Sequence, residues 1–170
     1  RKNFSGHGSA IAQCYNHVIM PLANTADKYT QARWGIKNLE YHFHRKPEGM
    51  WLPETALDTE TLEVVSELGI LFVIAAPRQA KQVRRIGDKK WKDVSGDKID
   101  PKRPYRCNLP SGRSVVIFFY DGPISQAVAF ENLLEKGEYL ANRIAGGFSK
   151  GDEAQLVHIA TDGETYGHHH

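Results

Sequence analysis

The chain is expected to fold as an α/β domain with parallel strands, an open sheet or a barrel. Three observations carry this. Short apolar runs at residues 49–54, 71–75 and 114–119 have the length of buried strands. Helical patterns lie between successive strands, and strand, helix, strand in that order is a parallel crossover, whose repetition builds a sheet or barrel rather than a sandwich. The composition, 170 residues with 41% hydrophobic and 25% charged, is that of a globular domain with a real core, so residues 1–170 read as a single domain.

Taken in order, Phe4-Ser5-Gly6-His7-Gly8-Ser9 is loop chemistry, with no lysine or helix signal at the spacing of a phosphate loop. Residues 10–22 are mostly apolar but contain Asn16 and His17, a polar pair that needs partners if buried. His17 is therefore either a satisfied core histidine or a cleft residue. A helix follows, capped by Asn24 or Thr25, with Asp27 in its first turn and Tyr29, Ala32, Ile36, Leu39 and Phe43 as its buried stripe. Pro47 ends it and leads into Gly49-Met50-Trp51-Leu52-Pro53-Glu54, a buried strand that delivers a carboxylate. Asp58 or Thr59 caps the next helix, Leu62, Val65 and Leu68 form its stripe, and Gly69 stops it ahead of the strand at 71–75. Residues 77–113, rich in charge and proline, read as an excursion that forms a cleft wall, with a short hairpin near 89–94 and a strand near 105–108. The strand at 114–119 turns out at Tyr120-Asp121-Gly122-Pro123; helices are expected at 124–134 and 138–144, and a last strand at 154–160.

A net charge of +2 from 22 basic and 20 acidic residues carries no polyanion signature, and the locally basic stretch 81–102 is interleaved with aspartates, so nucleic acid is not an expected partner. Cys14 and Cys107 lack metal or disulfide spacing and suit a reducing compartment. No apolar run approaches the roughly 20 residues of a membrane span. A cytoplasmic protein with no membrane partner, no cofactor and no metal is the expectation, and oligomeric state is not legible.

Carboxylates fall where chemistry is done in parallel α/β folds, beyond the C-terminal ends of strands. Glu54, Asp121, Asp162 and Glu164 all occupy such places, although Asp-Gly-Pro is also ordinary turn chemistry. Two carboxylates across one cleft suit glycoside hydrolysis, and in a retaining enzyme they stand about 5 to 5.5 Å apart. Trp51 or Tyr166 could stack on a sugar ring or pack in the core.

Gly49-Met50-Trp51-Leu52-Pro53-Glu54 resembles the Gly-x-Trp-Leu-x-Glu motif of glycoside hydrolase family 57, and Asp162-Gly163-Glu164-Thr165-Tyr166-Gly167-His168 resembles its Asp-x-Glu-x-x-Gly-His motif. Tyr15-Asn16-His17-Val18-Ile19-Met20-Pro21-Leu22 is similar to its Tyr-x-His-x-x-x-Pro-Leu segment, and Phe119-Tyr120-Asp121 through Ser125 to its Phe-Arg-Asp segment. The resemblance spans nearly the whole chain. It implies an incomplete (β/α)7 barrel and retaining hydrolysis or transfer at α-glucosidic bonds of an oligo- or polysaccharide. Glu54 would be the nucleophile and Asp162 the general acid and later base; His17, Trp51, Asp121, Glu164 and His168 would line the sugar subsite or orient the pair. Asp162 would then have to keep its proton while Glu54 stays ionised.

The departures from the family pattern are specific. Its opening His-Gln-Pro-like segment and its helical C-terminal region are not in these residues, so the chain reads as a portion of a longer protein, closest to a branch found in long chains with an added domain. Tyr120 stands where the family often has arginine, and Gln126 where it often has aspartate. Two rival classes remain open. One is a metal-dependent carbohydrate deacetylase on a related barrel, using His168 and His169 beside Asp162, although residues 168–170 could also be a tag remnant. The other is a non-catalytic sugar-binding barrel.

Overall fold

The computed structural model describes residues 6–168. In chain order the elements are β1 (Ala12–Gln13), α1 (Thr25–Phe43), β2 (Gly49–Trp51), α2 (Thr59–Glu67), β3 (Phe72–Ala75), β4 (Gln82–Val83), β5 (Lys92–Asp93), β6 (Pro104–Asn108), β7 (Ser114–Phe119), α3 (Gly122–Phe130) and α4 (Gly137–Ala145). The chain divides into two compact units, Arg1–Ala75 with Tyr105–Phe118, and Ala76–Pro104 with Phe119–His170.

The first unit is built on a five-stranded sheet of order β1-β2-β3-β7-β6. β2 pairs parallel with both β1 and β3, in the register Ala12 with Met50 and Gly49 with Phe72. α1 and α2 are the crossovers that parallel pairing requires. Met50 and Val73 are fully buried, as strands of a sheet covered on both faces are. The sheet is not closed among the described residues, consistent with an arc of an incomplete barrel.

α1 starts where its cap dictates. The Asn24 side chain accepts the Asp27 N–H at 2.9 Å, satisfying one of the donors left open at a helix start. Its buried face is Lys28, Ala32, Gly35 and Leu39, rotated from the stripe the spacing predicts. The cause is Gly35: a Cβ there would lie 1.8 Å from the Gln13 carbonyl oxygen, so only glycine lets the helix lie this close to β1. Tyr29 and Ile36 move to the flank, and Phe43 is exposed. Gly49 has a similar role, since a Cβ there would meet the Phe72 ring at 2.2 Å.

α2 is capped by Asp58, whose carboxylate accepts the Thr61 N–H at 2.8 Å. Lys28 joins the two helices from a fully buried position, its Nζ 2.5 Å from Glu60 and 3.6 Å from Asp58. Burial disfavours its charge, but the two carboxylates outweigh burial and hold the ammonium above its ordinary range. Burial likewise opposes ionisation of Asp58, yet the bonds from Thr61 and the Lys28 charge bring its carboxyl below the usual value.

In the second unit, the stretch expected to carry a hairpin at 89–94 does pair, but with an earlier segment: β5 lies antiparallel to β4, Gln82 opposite Asp93. Several basic residues here have partners within the unit. The Arg84 guanidinium sits 4.9 Å over the Trp91 ring, Lys102 pairs with Asp100 at 2.9 Å, and Arg103 pairs with Glu153. The helix expected at 124–134 ends at Phe130, and a 3-10 turn at Asn132–Leu134 follows. The strand expected at 154–160 does not form. That segment is held at separate points, by Leu156 N–H on the Lys102 carbonyl and by the Asp121 N–H on the His158 carbonyl, rather than by a ladder. Scattered bonds of this kind do not define a strand pairing.

Among the described residues no helix is long and apolar enough to cross a membrane. Cys14 and Cys107 are free thiols, and burial pushes Cys14 up to about 11, so it stays protonated and inert.

Candidate active site

Glu54 belongs to the first unit and stands just beyond β2. Leu52 and Pro53 are buried before it and Thr55 after it, while the Glu54 side chain itself is 66% exposed. Two overlapping turns make this arrangement. The Thr55 N–H donates to the Leu52 carbonyl at 2.9 Å, and the Ala56 N–H to the Pro53 carbonyl at 3.0 Å. Proline suits the second position of the first turn because its ring fixes φ. The third position, Glu54, has φ 57° and ψ 18°, and Thr55 has φ 52°. Left-handed backbone at a residue with a side chain costs about 1–2 kcal/mol. Here it rotates Glu54 away from the buried flanks, so that a residue between buried neighbours reaches solvent.

His17 meets that carboxylate, its Nε2 3.0 Å from Glu54 Oε1. His17 is exposed, so it is not the satisfied core histidine that its sequence context allowed. It is placed by α1: the Tyr15 N–H donates to the Gln31 carbonyl at 3.2 Å and the Asn16 N–H to the Gln31 side-chain oxygen at 2.7 Å. Trp51, in register with Gln13 of β1, is half-buried at the end of β2.

The remaining candidates lie in the second unit. Asp121 caps α3, accepting the Ile124 N–H at 2.9 Å through one carboxylate oxygen, so the ordinary turn role of Asp-Gly-Pro is fulfilled. Its own N–H donates to the His158 carbonyl at 2.9 Å. Ser125 completes the junction: its hydroxyl donates to the Asp121 carbonyl at 2.7 Å and accepts the Ala160 N–H at 3.1 Å. Burial lowers the His158 imidazole below its usual range, against the Phe119 backbone and the Asp121 charge, which act the other way. Asp162 and Glu164 are both exposed at a 3-10 turn, Gly163–Thr165, closed by the Thr165 N–H on the Asp162 carbonyl at 3.1 Å. The Tyr166 hydroxyl bonds Thr161 Oγ1 at 2.8 Å, and the His168 N–H reaches the Glu164 carbonyl at 3.2 Å.

The structure thus joins His17 to Glu54, and gathers Asp162, Glu164 and His168 on one short turn. Three contributors were not singled out by sequence as site residues: Gln31, which seats the His17 loop; Thr55, which shares the left-handed turn; and Ser125, which ties Asp121 to the approach to Asp162. Only Pro53 and the Asp121-to-Ser125 spacing hint at them in sequence. Among the described residues no group of three His, Cys, Asp or Glu side chains is arranged to hold a metal ion, and His169 and His170 lie outside the described residues.

A search of curated protein sequences gave no match. Solved structures resemble the fold. The 4-alpha-glucanotransferase of Thermococcus litoralis is similar with a TM-score of 0.64 at 18% identity over 92% of this chain. The exo-type maltose-forming amylase of Pyrococcus sp. ST04 has a TM-score of 0.64 at 21% identity over 94%. A family 57 branching enzyme of Thermococcus kodakaraensis has 0.53 at 21% over 74%. The matched region covers 22%, 26% and 25% of those chains respectively, so this chain spans about a quarter of their length. At these identities the likeness is one of fold. The family assignment comes from the sequence itself: a family model matches residues 3–170, carrying both carboxylate motifs, and the chain belongs to glycosyl hydrolase family 57.

Proposed function

We propose that these residues form part of a retaining glycoside hydrolase or glucanotransferase acting on α-glucosidic bonds of an oligo- or polysaccharide. The observation that carries it is Glu54, set on a left-handed turn at the end of a parallel strand, with His17 Nε2 3.0 Å from its carboxylate. Family membership supports the substrate class, because the solved structures with this fold include an amylase, a glucanotransferase and a branching enzyme.

In this mechanism Glu54 is the nucleophile. Its carboxylate oxygen forms a bond to the anomeric carbon as the bond from that carbon to the leaving oxygen breaks, and Asp162 passes its proton to that oxygen. In the second half Asp162 takes a proton from water or from an acceptor hydroxyl, whose oxygen attacks the anomeric carbon and releases Glu54. Asp162 is exposed, and a bound glycan that excludes water is what would favour its protonated form. Trp51, Asp121, Glu164 and His168 are proposed to line the sugar subsite, and the excursion at 77–113 to wall it. The free thiols favour a reducing compartment, and we place the protein in the cytoplasm.

The test is covalent trapping on the full chain with an activated fluoro-glycoside, followed by peptide mapping. An adduct on Glu54, absent in Glu54→Gln, is the expected result. Turnover of α-linked oligoglucosides with the adduct on another residue, or with no adduct, would defeat the assignment.

A further inference from the structure

We propose that Thr55 is a positioning residue for the nucleophile: its β-branched side chain, locked in a left-handed backbone, holds the turn that aims the Glu54 carboxylate. The proposal rests on the reading of Glu54 as nucleophile and asks what keeps that carboxylate where the chemistry needs it.

In the turn closed by Thr55 N–H on the Leu52 carbonyl, Pro53 takes the second position and Glu54 the third, where positive φ favours glycine or asparagine. In the turn closed by Ala56 N–H on the Pro53 carbonyl, Glu54 and Thr55 take both central positions, again the places for glycine, asparagine or aspartate. Two consecutive residues with φ of 57° and 52° therefore stand where turn chemistry asks for neither. For a β-branched residue this is an outlier, and such outliers persist only where the surroundings over-determine them.

The surroundings here do that. Leu52 is 0% exposed and Thr55 5%, so the residues on both sides of Glu54 are clamped while its carboxylate alone projects. Pro53 has one φ well, and threonine is stiff at χ1. Glycine at 55 would form the same turns with less strain, but would free the peptide between Glu54 and residue 55 to rotate. A displacement of about 1 Å at a reacting group lowers the rate about 100-fold. Strain is thus retained at this turn because it fixes the direction of one side chain.

The test uses the full chain and the fluoro-glycoside, measuring the maximum labelling rate of Glu54 and the half-saturating probe concentration separately, with thermal melting as a check on folding. Thr55→Gly is expected to lower the maximum rate about tenfold or more, with the half-saturating concentration changed less than about twofold. Thr55→Val, which keeps the β-branch and removes the hydroxyl, is expected to stay within about threefold of the unaltered protein. Labelling of Thr55→Gly at the unaltered rate overturns the proposal. So does a Thr55→Val variant as slow as Thr55→Gly, which would assign the effect to the hydroxyl. Should Thr55→Gly fail to fold, Pro53→Ala loosens the other flank of Glu54; the same fall in maximum rate supports the proposal and an unchanged rate overturns it. Absence of any Glu54 adduct in the unaltered protein would instead remove the nucleophile assignment on which the proposal rests.

Discussion

Two side chains show how differently a polar contact can matter. His17 and Glu54 meet at 3.0 Å, but both are largely exposed, and an exposed pair contributes less than about 1 kcal/mol to stability. Replacing His17 by Phe is therefore expected to leave the melting temperature unchanged while lowering the Glu54 labelling rate about tenfold, because the carboxylate loses the partner that orients it. Equal labelling in that variant would show that the contact does not orient the nucleophile. Lys28 is the opposite case. It is 1% exposed and its ammonium is compensated by Asp58 and Glu60, carboxylates that are themselves partly in water. Lys28→Ala is expected to destabilise by about 2–3 kcal/mol in denaturant unfolding, below the range for a fully buried pair because the remaining carboxylates can hydrate. Lys28→Met, which keeps the packing volume without the charge, should cost less than Lys28→Ala.

At the scale of elements, the tightest glycine position is Gly35, where α1 lies against β1. The clash that a Cβ would make there is with backbone, the Gln13 carbonyl oxygen and carbon, neither of which can rotate away. Gly35→Ala is expected to cost about 3 kcal/mol, at the upper end of overpacking. The three atoms nearest a Cβ at Gly8 belong instead to the end of the Arg45 side chain, which can shift, and Gly8→Ala should cost no more than about 1 kcal/mol, the worth of the Arg45 hydrogen bond to the Ala10 carbonyl that it disturbs. Denaturant midpoints of the two variants check the contrast. Elements are also where sequence reading succeeded and failed in instructive ways. The caps were legible to within one residue, Asn24 or Thr25 and Asp58 or Thr59, because a cap bonds to a residue three positions on, and the structure has Asn24 and Asp58 in that role. β7 was legible because a continuous apolar run of its length has few alternatives. The buried stripe of α1 kept Ala32 and Leu39 but was rotated elsewhere, because periodicity gives a spacing, not a phase, and the phase was set by Gly35 against a residue 22 positions away. The strand expected at 154–160 failed for a related reason: an apolar run has strand propensity, but a strand exists only where a neighbour offers a ladder.

For the molecule as a whole, acid is the informative perturbation. His158 is held neutral by burial, with its imidazole below the usual range. As pH falls through about 6.5, the unfolded chain binds a proton that the fold resists, so stability present above that pH is lost below it. The melting temperature is expected to fall between about pH 7.5 and 5.5, and His158→Gln should flatten that fall. An unchanged slope in the variant would place the acid sensitivity elsewhere. Lys28 adds nothing in this window, since its raised value keeps it charged in both states there and its contribution is lost only in strong alkali.

The sequence by itself determined the order and type of most elements, the caps, and the places of the two carboxylate motifs, because these depend on residues a few positions apart. Residues 49–54 read as one strand, whereas β2 ends at Trp51 and a turn begins at Pro53. Only the tertiary structure decided that Glu54 and Thr55 would take left-handed backbone, that His17 would leave the apolar run around it to meet Glu54 across 37 positions, and that Ser125 would hold the Ala160 N–H across 35. Those outcomes rest on buried flanks and long-range contacts, which fix the direction of a side chain in a way that local preference, favouring glycine at such a turn, would not.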